Sequence, residues 1–469
     1  MRHLLLRNAV VVDGTGAPGR SADVEVRDGR ITAIGRLGPV DAAEEVDLAG
    51  LVLCPGFIDI HTHFDAQLFW DSRFTPSTWH GVTTVVIGNC GFGIAPTRPA
   101  DRDAVMETLE LVEGMNPLTL RTGIEWGFET FPEYLDEIRR RPKALNVAAF
   151  VPHSTIRTYA MGPEASATRA ATEDEVAHMQ RLVREAMDAG AIGVSTSQAP
   201  SHVGWRGLPV PSRLADPGEI RALLDAMAAS GRGIAEITYG PAFEIDEVAR
   251  LSSELGVPIT WGSLLTGLFG GPGAALELLE RACAVPGAQI WPQVHCREIV
   301  FQMTLESPYY FGQVPAFEEA LALPRDQRAR IYADSAWRDR ARPDILGVRP
   351  GAYDRISVEE TVAHAELRGR SLAAVAAERE VHPFDLLLDL AIDEDLGTRF
   401  RIVSRNEDPV ELRALLTDDR TVLGAHDAGA HIDMICDSCF PSHLLGHWVR
   451  AEQAMTLEHA VWRMTGQPA

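Results

Sequence analysis

What this sequence lacks narrows its function before anything it contains does. No stretch approaches 18 consecutive apolar residues, so nothing reads as a membrane-spanning helix. The N-terminus, Met1-Arg2-His3-Leu4-Leu5-Leu6-Arg7, has too short an apolar stretch for a signal peptide, and the cytoplasm is the expected location. Positive charge is scarce: Lys+Arg number 43 against Asp+Glu 66, a net charge of -23. That deficit argues against nucleic acid and against anionic membrane surfaces as partners. It leaves a small-molecule substrate open, because the local field in a cleft can oppose the net charge. Cysteine is sparse too. Cys54, Cys90, Cys283, Cys296, Cys436 and Cys439 are scattered, unlike a secreted disulfide framework. Cys436-Asp437-Ser438-Cys439 has CxxC spacing but no thioredoxin-like context, and reads as two ordinary thiols.

What is present is a soluble globular composition, 46% hydrophobic and 23% charged. At 469 residues the chain exceeds one ordinary domain, and an α/β barrel with an appendage accounts for most of it. Residues 1–54 read as a small β-domain. Segments 4–7, 10–13, 23–27 and 30–34 alternate or run β-branched between glycines. From residue 55 to 469, short apolar runs alternate with helical stretches. Eight runs are candidate strands: 57–60, 83–87, 146–151, 192–195, 234–238, 258–261, 289–294 and 421–424. Strands alternating with helices imply βαβ units and a parallel sheet, and eight of them predict a (β/α)8 barrel. Thr172 and Glu175 form a capping box before the fourth strand. Val176, Met179, Leu182, Val183 and Ala186 then follow at helical spacing, and Gly190 ends the helix.

Two connections are long. One, about 88–145, holds Trp126, Phe128, Phe131 and Tyr134. The other is an insertion at about 296–420, with Pro308-Tyr309-Tyr310-Phe311 near its start. Loops of this length in a compact barrel serve as lids or substrate walls. The competing reading is surface elaboration or a contact between copies in a homo-oligomer.

The chemistry concentrates at strand ends. Pro55-Gly56-Phe57-Ile58-Asp59-Ile60-His61-Thr62-His63 puts two histidines at i and i+2 on the first strand. Successive strand side chains point to opposite faces, so these two imidazoles point the same way and can share a metal ion. Cys90 follows the second strand and Asp427 the eighth. Strand C-terminal ends face the active site of a barrel, and strands one, two and eight are neighbours when it closes. Four potential ligands thus meet in one quadrant. Zinc accepts imidazole, thiolate and carboxylate, and a catalytic site keeps one position open for water. Asp427 is the candidate to orient that water, take its proton and pass it to a leaving nitrogen. The bland alternatives are a turn carboxylate for Asp427 and a small buried residue for Cys90. His153 and His295, at the third and seventh strand ends, read as substrate contacts, second-layer groups or core. Arg297, just past His295, is the candidate to bind a substrate carboxylate. It reads equally as a salt bridge to Glu298 or another rim acid.

These residues reach a family. Gly56 to His63 resembles the first-strand signature of the amidohydrolase superfamily. Gly81-Val82-Thr83-Thr84-Val85-Val86-Ile87-Gly88-Asn89-Cys90-Gly91 resembles the N-acyl-D-amino-acid deacylase (D-aminoacylase) branch. Phe131-Pro132-Glu133-Tyr134-Leu135, residues 157–162, residues 189–196 and residues 455–461 support it over essentially the whole chain. The resemblance implies a distorted barrel with a small β-domain and zinc-dependent hydrolysis of an amide. By resemblance, His61, His63 and Cys90 are metal ligands, Asp427 is both ligand and acid/base, and the long insertion covers the substrate.

The chain departs from that pattern in two places. Such deacylases carry histidines at the ends of strands five and six. Here those ends read Glu236-Ile237-Thr238-Tyr239-Gly240 and Ile259-Thr260-Trp261-Gly262-Ser263. Lysine is nearly absent, and Lys143 lies in a Pro-flanked connection far from any role as a carbamate bridge. One zinc rather than two is therefore expected, held by His61, His63 and Asp427 with Cys90 joining; another divalent metal is allowed. His295 or His202 is a geometric substitute for the missing histidines. The second departure is that the chain stops at Thr465-Gly466-Gln467-Pro468-Ala469. Similar proteins return to complete the small domain, so a truncated or reduced small domain with unpaired strand edges is expected. The expected activity is hydrolysis of an N-acyl amino acid amide. The alternatives are another small amide, a cyclic imide or a lactone, or a non-catalytic barrel with a degraded metal site.

Overall fold

The computed structural model describes residues 3–40, 43–240, 243–306, 308, 311, 314–321, 323–348, 352–432, 434–435 and 437–469. Two compact units emerge. The first comprises Met1–Arg297, Pro409–His431 and Cys436–Ala469; the second comprises Glu298–Asp408 and Ile432–Ile435.

The first unit opens with a five-stranded sheet: β1 (His3–Val11), β2 (Arg20–Arg27), β3 (Arg30–Gly35), β4 (Glu44–Asp47) and β5 (Val52–Leu53). The two segments read from sequence as 4–7 and 10–13 are one strand. Its pairing with β2 shifts register between Leu6 and Ala9, and Asn8 takes φ 60° there. One extra residue in a left-handed conformation is a β-bulge, which the pattern shows as a break. Ala9, Val11, Ala22 and Val24 make the small core of this sheet.

Eight parallel strands follow: β6 (Phe57–Asp59), β7 (Val82–Ile87), β8 (Asn146–Pro152), β9 (Gly193–Ser197), β10 (Ile234–Thr238), β11 (Ile259–Gly262) and β12 (Ile290–Val294), then β16 (Val422–Leu423). Each pairs with the next in the order β6-β7-β8-β9-β10-β11-β12-β16. All eight candidate strands of the sequence are present as a (β/α)8 barrel. The ring closes beyond the strands themselves. Thr62 bridges Ala428 in parallel, and His63 N–H donates to Ala428 O at 2.7 Å. That closure brings the segment after β6 against the segment after β16.

Helices wrap the sheet where their caps announce them. Thr172 caps the helix Glu173–Ala189 in a capping box with Glu175, and Gly190 ends it at φ 115°. Only a residue without Cβ adopts that conformation without strain. Between β7 and β8, Phe128, Phe131 and Tyr134 are buried; Phe128 and Tyr134 pack with Phe69, and Phe131 packs with Tyr134. The Tyr134 hydroxyl donates to Asp65 O at 2.9 Å. These aromatics are core, not a substrate wall: their rings are needed to fill the space under the barrel rim.

The second unit has its own sheet and its own core. β13 (Ile299–Met303), β14 (Ile356–Glu360) and β15 (Arg399–Arg405) pair antiparallel, with β15 in the centre. Phe311, Phe317, Tyr332, Trp337 and Phe384 are buried beside them. Phe311 stacks on Phe317 at 4.9 Å. Tyr309 and Tyr310, singled out with Phe311 in the sequence, lie outside the described residues.

Candidate metal centre

The centre is built from three short turns at the C-terminal ends of β6, β7 and β16. His61 and His63 follow β6 on one face, as the two-residue repeat requires. Both are nearly fully buried. Cys90 sits in the tight turn Asn89–Gly91 at φ 55°, and Asp427 follows β16 at φ 50°. Non-glycine residues in the left-handed region cost energy and persist where the surroundings hold them. Here they are held. Cys90 N–H donates to Glu236 Oε2 at 2.8 Å, and Gly91 N–H to Ser195 Oγ at 3.1 Å. Asn89 Nδ2 donates to Val86 O and Thr62 O, tying the two turns together. Gly429 adjoins His63 closely: a Cβ there would meet the His63 carbonyl at 3.0 Å.

The donor atoms converge. One ligand atom each from His61, His63 and Cys90 lies within 4.8 Å of the other two. Cys90 Sγ is 3.3 Å from His61 Nε2. Asp427 Oδ1 is 3.0 Å from His61 Nε2 and 3.5 Å from His63 Nε2. Ligands about 2.0–2.3 Å from one zinc at tetrahedral angles stand roughly 3.3–3.7 Å apart. The spacing and the donor types therefore fit a divalent ion. Asp427 alone of the four faces outward: its side chain is 32% exposed, against 4% and 2% for the two histidines.

The electrostatics agree. Burial works against charge on His61, but Cys90 and Asp427 outweigh it and hold the ring well above its ordinary pKa. His63 is raised likewise, against burial, chiefly by Glu113. Burial opposes charge on Asp427, and the two imidazoles overcome it and hold the carboxyl well below the usual range. Nearby, burial is the main cause that pushes Asp65 up to about 6 and His202 down to about 3.

The other sequence candidates lie elsewhere. His153 is fully buried, with Nδ1 2.8 Å from Thr196 Oγ1 and Nε2 2.8 Å from Glu219 Oε1. Arg157 binds the same carboxylate. Both ring nitrogens are thus spent inside the protein, which leaves none for a substrate. His295 and Arg297 share Asp437, at 3.4 Å and 3.3 Å. Arg297 also donates to Cys439 Sγ at 3.2 Å. The rim acid that holds Arg297 is Asp437, not Glu298, which pairs with Arg401. Cys436, the other half of the CxxC spacing, lies outside the described residues. His202 bonds Ser197 Oγ through Nδ1 and stands edge-on to Phe92.

Three residues at the centre escaped the sequence reading. Glu236 on β10 is fully buried and holds Cys90 N–H; burial raises its pKa, against the pull of His61. Gln293 on β12 is fully buried, with Oε1 2.7 Å from His61 Nδ1. Glu113, the last residue of the helix Arg102–Glu113, is 3.6 Å from His63 Nδ1 and 3.5 Å from His431 Nε2. A signal existed for the first two. A carboxylate and an amide interrupt otherwise apolar strands of a parallel sheet, where a polar group needs a partner. Nothing local marked Glu113. At the ends of β10 and β11, Tyr239, Trp261 and Phe269 pack ring against ring at 5.2 to 5.8 Å.

Comparison with known proteins bears on this geometry. The model of the amidohydrolase family matches residues 44–469. A D-aminoacylase of Alcaligenes xylosoxydans xylosoxydans is 32% identical over 99% of this chain and 83% of its own. Among solved structures, the N-acyl-D-glutamate deacylase of Bordetella bronchiseptica, complexed with zinc and a phosphonate mimic of the tetrahedral intermediate, superposes with a TM-score of 0.65. It is 25% identical, and the match covers 100% of this chain and 85% of that one. A D-aminoacylase with a binuclear metal centre, activated by one metal and attenuated by a second, gives 0.62 at 28% identity, covering 99% and 84%.

Proposed function

From the premise that this chain belongs to the amidohydrolase family, we propose that it is a metal-dependent hydrolase that cleaves the amide bond of an N-acyl amino acid. The observation that carries the reading is the convergence of one ligand atom each from His61, His63 and Cys90 within 4.8 Å of one another, with Asp427 Oδ1 3.0 and 3.5 Å from the two histidine Nε2 atoms. Zinc held by these four would lower the pKa of a water and polarise an acyl carbonyl.

The chain's own residues do the rest. His61 and His63 supply two neutral donors from a rigid strand end. Cys90 supplies a compact thiolate whose turn is pinned by Glu236. Asp427 is the exposed member of the group, so it meets both the attacking water and the substrate. It accepts the proton of the water and returns it to the departing nitrogen, the two roles of one carboxylate in general acid–base catalysis. His153, His295 and Arg297 act as internal struts in this reading, because their polar atoms are taken by Glu219 and Asp437. One metal per chain is the reading for stoichiometry. Glu236, Gln293 and aromatic rings occupy the side where further imidazole ligands would have to stand. Those rings also favour a second reading, in which the bond cleaved is that of another small amide, a cyclic imide or a lactone.

The test is metal content together with turnover. The purified protein is stripped with a chelator, reloaded with zinc and assayed on N-acyl derivatives of D- and L-amino acids beside cyclic imides and lactones. Near-stoichiometric zinc and zinc-dependent release of a D-amino acid are expected. Protein that takes up no zinc, or that turns over equally after stripping, ends the reading. Turnover confined to the cyclic compounds shifts it to the second.

A further inference from the structure

We propose that Gln293 is a positioning residue for the metal centre: it accepts the proton on His61 Nδ1 and so presents the Nε2 lone pair to the ion. This rests on the metal-dependent reading above.

The argument begins with which end of the amide faces His61. Ala425 N–H points at Oε1 of Gln293 at 2.9 Å, and a backbone N–H only donates, so the atom it meets is oxygen. At the other end, Nε2 of Gln293 is 3.1 Å from Thr260 Oγ1. The Thr260 hydroxyl donates its own hydrogen to Trp291 O, so here it accepts, and the atom facing it is the NH2. The amide is therefore oriented from both sides. Its oxygen faces His61 Nδ1 at 2.7 Å, and Nδ1 must be the donor. A neutral imidazole carries one N–H, so the lone pair is on Nε2. Nε2 is the nitrogen that lies 3.3 Å from Cys90 Sγ and 3.0 Å from Asp427 Oδ1. A group behind a metal-bound histidine commonly fixes its tautomer in this way.

The barrel makes room for this amide. At Gly424 a Cβ would stand 2.6 Å from Gln293 Oε1 and 2.9 Å from its Cδ, so any side chain there would drive the amide away. A Cβ at Gly262 would meet Glu236 Oε1 at 3.4 Å and Gln293 Oε1 at 3.8 Å, which shows the two polar side chains to be neighbours. Beside a buried carboxylate, a neutral amide fixes the tautomer without adding a second charge.

Gln293→Leu removes the acceptor, and Gln293→Glu keeps an oxygen in place. Zinc affinity is measured for both against the full-length wild type by competition with a chromophoric chelator. The expectation is a loss of about 10- to 100-fold for Gln293→Leu, with most of the affinity restored in Gln293→Glu. In parallel, long-range 1H–15N spectra of 15N-histidine-labelled, zinc-loaded wild type should show His61 with hydrogen on Nδ1 and a ligand-type Nε2. Wild-type affinity in Gln293→Leu, equal losses in both variants, or a His61 Nε2–H overturns the assignment. If Gln293→Leu does not fold, the wild-type spectrum decides. Wild type that binds no zinc brings down the metal reading and this assignment together. Zinc-binding wild type with an indifferent Gln293→Leu brings down this assignment alone.

Discussion

Two sides of one barrel mouth carry polar residues of different kinds. Where β6, β7 and β16 end, His61, His63, Cys90 and Asp427 aim their donor atoms at a common point. Where β10 and β12 run, Glu236 and Gln293 aim theirs at the backbone and rings of the first side: Cys90 N–H, Ala425 N–H and His61 Nδ1. The first side has donor atoms to offer a ligand; the second spends its polar atoms inside the protein. A metal centre needs both, because a ligand ring that can rotate loses affinity for its ion.

The largest break in this comparison comes from the first side. His61→Ala combined with His63→Ala should abolish both zinc retention and hydrolysis, read by elemental analysis and by amine release. Zinc retained at the wild-type level would mean that the centre lies elsewhere. Asp427→Asn should lower kcat by about 10²- to 10⁴-fold, the usual contribution of a general acid–base group. Most of the zinc should stay, since two imidazoles and a thiolate remain. Undiminished kcat would remove Asp427 from its role.

A pH series sharpens the same point. His61 and His63 are held above their ordinary pKa of 6.5 by Cys90, Glu113 and Asp427, against burial. Zinc must displace any proton that these raised rings hold. Affinity should therefore rise with pH, by about tenfold per unit for each proton released. Titration calorimetry in buffers of different ionisation enthalpy measures that release, and a value of zero would contradict the charge state inferred for the pair.

The smallest effect contrasts two glycines on the second side. Gly424→Ala would force a Cβ to 2.6 Å from Gln293 Oε1, and overpacking of this kind costs about 1–3 kcal/mol. Gly262→Ala meets its neighbours at 3.4 and 3.8 Å, ordinary contact, and should leave stability nearly unchanged. Chemical denaturation compares them. Equal stability of the two variants would mean that Gln293 moves aside freely.

The sequence exposed the barrel because its signals are local. The run from Phe57 to Ile60, the Thr172–Glu175 capping box and the glycine at 190 each act within a few residues, and each took the form that its pattern predicts. His61, His63, Cys90 and Asp427 were readable for a related reason: each follows a strand, and strand ends meet at a barrel mouth. The misreadings share a cause as well. His153 and Arg297 look available in sequence because Glu219 and Asp437, their partners, lie 66 and 140 residues away and leave no local trace. The aromatics of 126–134 look like a wall until Tyr134 is seen bonded to Asp65.

The sequence by itself determined the eight barrel strands and their parallel arrangement, because periodicity, capping and turn chemistry are properties of neighbouring residues. Only the tertiary structure decided which nitrogen of His61 faces the centre, which carboxylates sit behind His63 and Cys90, and which charged groups are already committed. Those depend on atoms brought into contact across separations that run from 50 residues for His63 and Glu113 to 232 for His61 and Gln293. Hydrogen-bond direction and desolvation are set by such contacts, after the chain has closed.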